Sequence, residues 1–117
     1  IRGNKYLIIN AKENILPSIV GILGSMLTKS GEYSEGFIVM SLGRNIDKTT
    51  KISLRIVGRK HHQDLREMIE KILKDVSNEH GGHRQAAGAL INTKDEEKVI
   101  LNAKNILEEL SLIETVE

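Results

Sequence analysis

His80-Gly81-Gly82-His83-Arg84-Gln85-Ala86-Ala87-Gly88-Ala89 gathers glycines, small residues and ionisable groups in one run with neither helical nor strand periodicity. The residues allow two readings. In the first the run is a ligand loop. Gly81 and Gly82 permit positive φ and close approach, successive amides converge on an anion, and His83 and Arg84 grip it. In the second it is a helix C-cap, a turn and a small-residue strand whose side chains are incidentally exposed. A short glycine motif does not choose between these without its structural context.

Toward the N-terminus, Leu65, Met68, Ile69, Ile72, Leu73 and Val76 form one helical stripe behind an Asp64/Glu67 capping pair. That helix is expected to run to about Asn78 and deliver the chain into the glycine pair. Gly58 to Gln63 is a basic connector, and Lys51 to Val57 before it alternates cleanly. Ile52, Leu54 and Ile56 share one face, while Ser53, Arg55 and Val57 share the other. An arginine in mid-strand needs an anionic ligand, a carboxylate partner or a solvated sheet face.

Gly43 to Thr50 is a polar loop, and Phe37 to Leu42 is a nearly continuous apolar strand to be covered on both faces. From about Asn14 to Ser30-Gly31, Ile15, Leu16, Ile19, Val20, Ile22, Leu23, Met26 and Leu27 fall at the spacing of a largely buried helix, with Pro17 tolerable in the first turn. Gly21 and Gly24 inside this helix suggest either close packing on a strand or sequence drift. Tyr6 to Ile9 is a first short strand.

Toward the C-terminus, Ala87 to Ile91 is a short strand. Thr93 and Glu96 give a second capping signal ahead of a helix through Val99, Ala103, Leu107 and Leu110, and the tail from Ser111 frays or extends it. Glu96, Glu97, Glu108 and Glu109 are expected on solvated helix faces. The order strand-helix-strand-strand-helix-strand-helix predicts an α/β domain, a mixed sheet of about four or five strands covered by helices. The two strands on either side of the polar loop should form an antiparallel hairpin.

A chain of 117 residues supports one domain over 1–117. With no cysteine, disulfides and cysteine-based zinc sites are excluded, and a cytoplasmic setting is expected. Seventeen basic against 16 acidic residues give a net charge of +1, so any polyanion contact must be local. No apolar run suggests a membrane span or a signal peptide, so no membrane partner is expected. With one Phe, two Tyr and no Trp, an array of base-stacking platforms is not expected. Opening at Ile1 rather than Met is what a piece of a longer chain would show.

His80 with His83, and His61 with His62, tempt a metal reading, but no cysteine or carboxylate motif completes a first coordination shell. Nucleophile-elbow, Walker and dinucleotide-fold motifs are absent.

Gly81-Gly82-His83 with Ala86-Ala87-Gly88-Ala89, together with Ser53-Leu54-Arg55, resembles the signature of the DHH-associated domain that closes DHH-superfamily phosphoesterases, RecJ-like single-strand nucleases among them. That domain has relatives in alanyl-tRNA synthetases. Two departures from the pattern are His80, where many relatives extend the glycine run, and Arg84, where a proline often follows the histidine. The resemblance implies half of an active site. Ser53, Arg55, Gly81, Gly82, His83 and Arg84 would bind substrate, with no catalytic residue and no metal in this chain. Manganese or magnesium would be held by an N-terminal DHH domain of the same parent, and this chain alone would be inactive. The implied ligand is single-stranded nucleic acid or a phosphorylated nucleotide. A tRNA-binding module, or an interaction domain without a ligand, is the alternative.

Overall fold

The computed structural model describes residues 1–3, 5–59 and 63–116. Lys60, His61 and His62 of the basic connector lie outside the described residues. The elements are β1 (Tyr6–Asn10), α1 (Pro17–Thr28), β2 (Ile38–Arg44), β3 (Thr49–Ile56), α2 (Leu65–Ile72), β4 (Asn78–His83), β5 (Ala86–Asn92), a 3-10 turn (Thr93–Asp95) and α3 (Glu96–Val116). They build one mixed five-stranded sheet in the order β1-β2-β3-β5-β4. The α/β class and the mixed sheet are those the sequence predicts.

The β2–β3 hairpin is antiparallel as expected, and β1 lies parallel to β2 across the α1 connection. The connection through α2 does not make parallel neighbours, because β3 and β4 are separated by β5 and both pair antiparallel with it. The glycine stretch departs most from expectation. Asn78–His83 is a strand, and the only loop between it and β5 is the two-residue turn Arg84-Gln85. The preceding helix ends at Ile72, six residues before the expected Asn78, with Asp75 in a left-handed conformation at φ 63°. Leu73 and Val76 remain buried, so the apolar stripe outlasts the helix that the spacing predicts. Asp64 caps α2 as predicted, its carboxylate accepting from the amides of Arg66 at 3.0 Å and Glu67 at 3.4 Å.

One sheet face carries the main core. Tyr6, Ile8, Met40, Leu42, Ile52, Leu54, Ala87, Ala89 and Ile91 meet Leu65, Ile69 and Ile72 of α2 and Val99, Ala103 and Leu107 of α3. Burying such a set at roughly 1.5–3 kcal/mol per large side chain is the dominant favourable contribution to folding. The other face is covered only in part. There α1 packs across β2 and β3, and Gly21 and Gly24 permit the close approach: a Cβ on Gly24 would lie 3.2 Å from Arg55 Cγ and 3.5 Å from Ser41 Oγ. Ser41 Oγ also donates to the Val20 carbonyl at 3.2 Å.

Glu96 is not on a solvated face. It is 3 % exposed at the start of α3, accepting from Arg44 Nε at 2.9 Å, Arg44 Nη2 at 3.1 Å, Asn10 Nδ2 at 3.2 Å and the Thr50 hydroxyl. This cluster ties β1, β2 and β3 to α3 at the sheet end remote from the Arg84-Gln85 turn. Burial pushes the Glu96 carboxyl upward, but its hydrogen bonds from Arg44, Thr50 and Asn10 and the Arg44 charge outweigh that and hold it below the usual range.

Candidate functional site

Directly opposed residues in a sheet point to the same face, so the strand register fixes which groups can meet. Arg55 opposes Val39 on one side and Ala86 on the other, and Ala86 opposes His83. Arg55, Ala86 and His83 therefore lie in one row on the α1 side of the sheet, with Arg55 and His83 two strand spacings apart, ~10 Å. The neighbouring row is Ser53, Gly88 and Gly81. α1 packs on β2 and β3, and in β4 the residues Glu79 to His83 are exposed while Ala86, Gly88 and Leu90 of β5 are half-buried. A Cβ added to Gly81 would meet nothing within 4 Å. The result is a trough with a small-residue floor, α1 as one wall and His83 at the outer edge.

Arg55 sits where wall and floor join. Its Nε is buried and has no hydrogen-bond partner among the described residues. That is costly for a guanidinium group, and an anion at this point would satisfy it. No carboxylate among the described residues serves that atom. A depression of about 540 Å³ opens beside it, lined by Gly21, Ile22, Ser25, Met26 and Lys29 of the α1 side together with Arg55. At the outer edge His83 is exposed, and its Nδ1 accepts from the Gln85 amide at 3.3 Å. A ring accepting at Nδ1 carries its proton on Nε2, the nitrogen left to donate.

The six sequence-chosen residues thus take different places. Arg55, His83 and Gly81 share the trough. Arg84 is exposed in the adjoining turn, and its carbonyl accepts from the Leu65 amide at 3.0 Å. Ser53 belongs to the same face but is buried beneath α1, its Oγ 3.8 Å from where a Gly21 Cβ would be. Gly82 points to the opposite face, opposing Ala87. Its φ is 139°, and an added Cβ would collide with the Ala86 carbonyl and Ala87 Cα, so glycine there is demanded by the hairpin itself.

Ser25 and Lys29 are not singled out by sequence reasoning, and Ile22 and Met26, which the apolar spacing places in a largely buried helix, are instead exposed because α1 packs on the sheet with its glycine side. A signal is available: α1 carries no charged residue, yet Ile19, Ile22 and Met26 are exposed. A surface helix facing only water normally has a charged outer face.

Among the described residues no three His, Asp or Glu side chains gather as a ligand set. His80 and His83, three apart in a strand, point to opposite faces, and His80 instead hydrogen-bonds Asn78 Oδ1 at 2.7 Å and faces Glu70 at 3.7 Å. No helix among the described residues is long and apolar enough to cross a membrane.

No curated protein matches the chain in sequence. Among solved structures, the C-Ala domain of Aquifex aeolicus alanyl-tRNA synthetase is similar at TM-score 0.59 and 17 % identity, over 85 % of this chain and 86 % of that one. RecJ from Thermus thermophilus, solved in complex with Mg2+, is similar at TM-score 0.65 and 15 % identity, over 90 % of this chain. A pGpG-specific phosphodiesterase, PggH, from Vibrio cholerae is similar at TM-score 0.60 and 12 % identity, over 96 % of this chain. The chain spans only 15 % of the RecJ chain and 35 % of the phosphodiesterase chain. At these identities the likeness is one of fold. The family model of the DHHA1 domain matches residues 3–110, nearly the whole length, and the chain belongs to that family, the DHH-associated domain.

Proposed function

We propose that this domain holds a phosphate group of single-stranded nucleic acid or of a phosphorylated nucleotide, as the substrate-binding half of a DHH-family phosphoesterase of RecJ-like type. The observation that carries the reading is Arg55, whose buried Nε lacks a partner among the described residues and whose side chain lines an open depression. Arg55 grips the anion from the wall, and His83 Nε2 donates from the far edge of the same row. A guanidinium fork suits phosphate oxygens, and contacts of this kind position a substrate without reading its bases. Lys29 adds a second positive charge on the α1 side. The hydrolytic chemistry, with manganese or magnesium, belongs in this reading to an N-terminal DHH domain of the parent chain. This chain alone is then inactive and acts by placing the scissile phosphodiester across a cleft.

The test is binding of a labelled single-stranded pentanucleotide to the 117-residue chain, measured by fluorescence anisotropy. Arg55→Ala and His83→Ala should each weaken it, and unlabelled single strands should compete better than folded tRNA. Variants that bind like the unmodified chain would remove the site. Preferential competition by tRNA would favour the tRNA-binding alternative, a fold likeness to the C-Ala domain being present in either case.

A further inference from the structure

The depression beside Arg55 has two chemically distinct parts. Ser25, Lys29 and Arg55 contribute polar groups to its lining, whereas Ile22 and Met26 contribute apolar side chains that are 57 % and 66 % exposed. Ile22 and Met26 are four apart in α1, so they stand one above the other on one flank of the helix. Neither contributes to the main core. An anion-only site has no use for such side chains, since a free phosphate is fully served by cations and hydroxyls. A ligand with an uncharged planar body joined to its phosphate does use it: a thioether and a branched aliphatic chain pack well on a ring face, and sulfur–aromatic contacts are favourable in themselves.

We infer that Ile22 and Met26 seat the nucleobase of a nucleoside monophosphate unit whose phosphate is held by Arg55 and Lys29. This rests on the phosphate-binding reading above and adds the direction in which the ligand lies: away from His83, along the α1 flank. It also assigns a specificity. The Ile22 and Met26 side chains carry no donor or acceptor suited to a base edge, so they receive every base on its face alone. Discrimination among bases is therefore absent at this position, and discrimination between a nucleotide and a bare sugar phosphate is present.

The test uses the 117-residue chain with methyl-labelled methionine and 15N-labelled arginine, titrated with inorganic phosphate, ribose 5-phosphate, AMP and UMP and followed by NMR. All four should move the Arg55 Nε signal, whereas AMP and UMP alone should shift the Met26 methyl through the ring current. Both nucleotides should bind more tightly than ribose 5-phosphate and within about threefold of each other. Met26→Gln, at an exposed position that does not endanger the fold, should weaken AMP and UMP by about threefold to tenfold and leave ribose 5-phosphate unchanged. Movement of Arg55 Nε with an unmoved Met26 methyl would overturn the inference and leave the phosphate site standing. More than tenfold preference for one base would overturn the absence of discrimination. If none of the four ligands moves Arg55 Nε, the phosphate-binding reading falls and this inference with it.

Discussion

Arg55→Ala tests the electrostatics of the trough quantitatively. The two cations at the depression are Arg55 and Lys29. For single-stranded nucleic acid, each phosphate neutralised contributes about −0.7 to the slope of log affinity against log salt, so two give about −1.4. Raising salt fourfold, from about 50 to about 200 mM, should then weaken binding about sevenfold, and the same rise should weaken Arg55→Ala only about threefold, at a slope near −0.7. The variant should also lose affinity at low salt. A hydrogen bond to a charged group is worth about 1.5–3 kcal/mol, and the Arg55 Nε is already out of water and unpartnered, so at least about a tenfold loss is expected. Anisotropy titrations of a labelled pentanucleotide at five salt concentrations measure both quantities. Arg66→Ala, on the exposed face of α2 at the other side of the sheet, is the control and should change neither. An unchanged slope for Arg55→Ala, or an equal change for Arg66→Ala, would refute the placement of the anion.

The adjacent glycines should separate cleanly. Gly82→Ala should destabilise the chain by roughly 2 kcal/mol or more in urea unfolding, from positive φ and collision with the hairpin backbone. Gly81→Val should leave stability within about 0.5 kcal/mol, because its Cβ enters open space, yet obstruct the trough and weaken oligonucleotide binding; matched behaviour of the two variants in either assay would contradict this geometry. Glu96→Ala should cost about 3 kcal/mol by stranding Thr50 and Arg44, against little for the exposed Glu97→Ala. Because the folded-state pKa of Glu96 lies below its unfolded value near 4.5, its contribution is fully present above that value and lost as pH falls through the folded pKa. Acid unfolding of Glu96→Gln should therefore lack that component, and an unchanged acid limb would count against it. For Tyr6, burial and then the hydrogen bond and charge of Glu108 push the phenol up to about 12 from 10. The folded state then holds its proton longer than the unfolded state, so stability should fall as pH rises from about 10 to about 12, and Tyr6→Phe should remove that loss. An identical alkaline limb in the variant would refute it.

Where side-chain pattern creates an element, that element is legible in the sequence. The alternation of Ile52, Leu54 and Ile56 marks β3, the stripe through Val99, Ala103 and Leu107 marks α3, and Asp64 marks the start of α2. The strand β4 is illegible because Asn78-Glu79-His80-Gly81-Gly82-His83 has no β-branched or apolar residue, and its conformation comes from backbone pairing with β5 at the sheet edge. Glu96 escapes local reading for a similar reason: its partners Arg44 and Thr50 lie 52 and 46 positions away, beyond any helical or strand period. In the candidate site, the period of two places Arg55 off the core face, but the pairing of Arg55 with Ala86 and of Ala86 with His83 depends on tertiary register. The α1 wall reads from its apolar spacing as a largely buried helix, which hides the exposure of Ile22 and Met26 and with it their bearing on function.

The most direct measurement is a crystal structure of the 117-residue chain soaked with a nucleoside monophosphate. The prediction is a phosphate oxygen within hydrogen-bond distance of Arg55 Nε, at the junction of α1 and the sheet. A phosphate elsewhere on the molecule, with Arg55 Nε paired to one of the protein's own carboxylates, would contradict it.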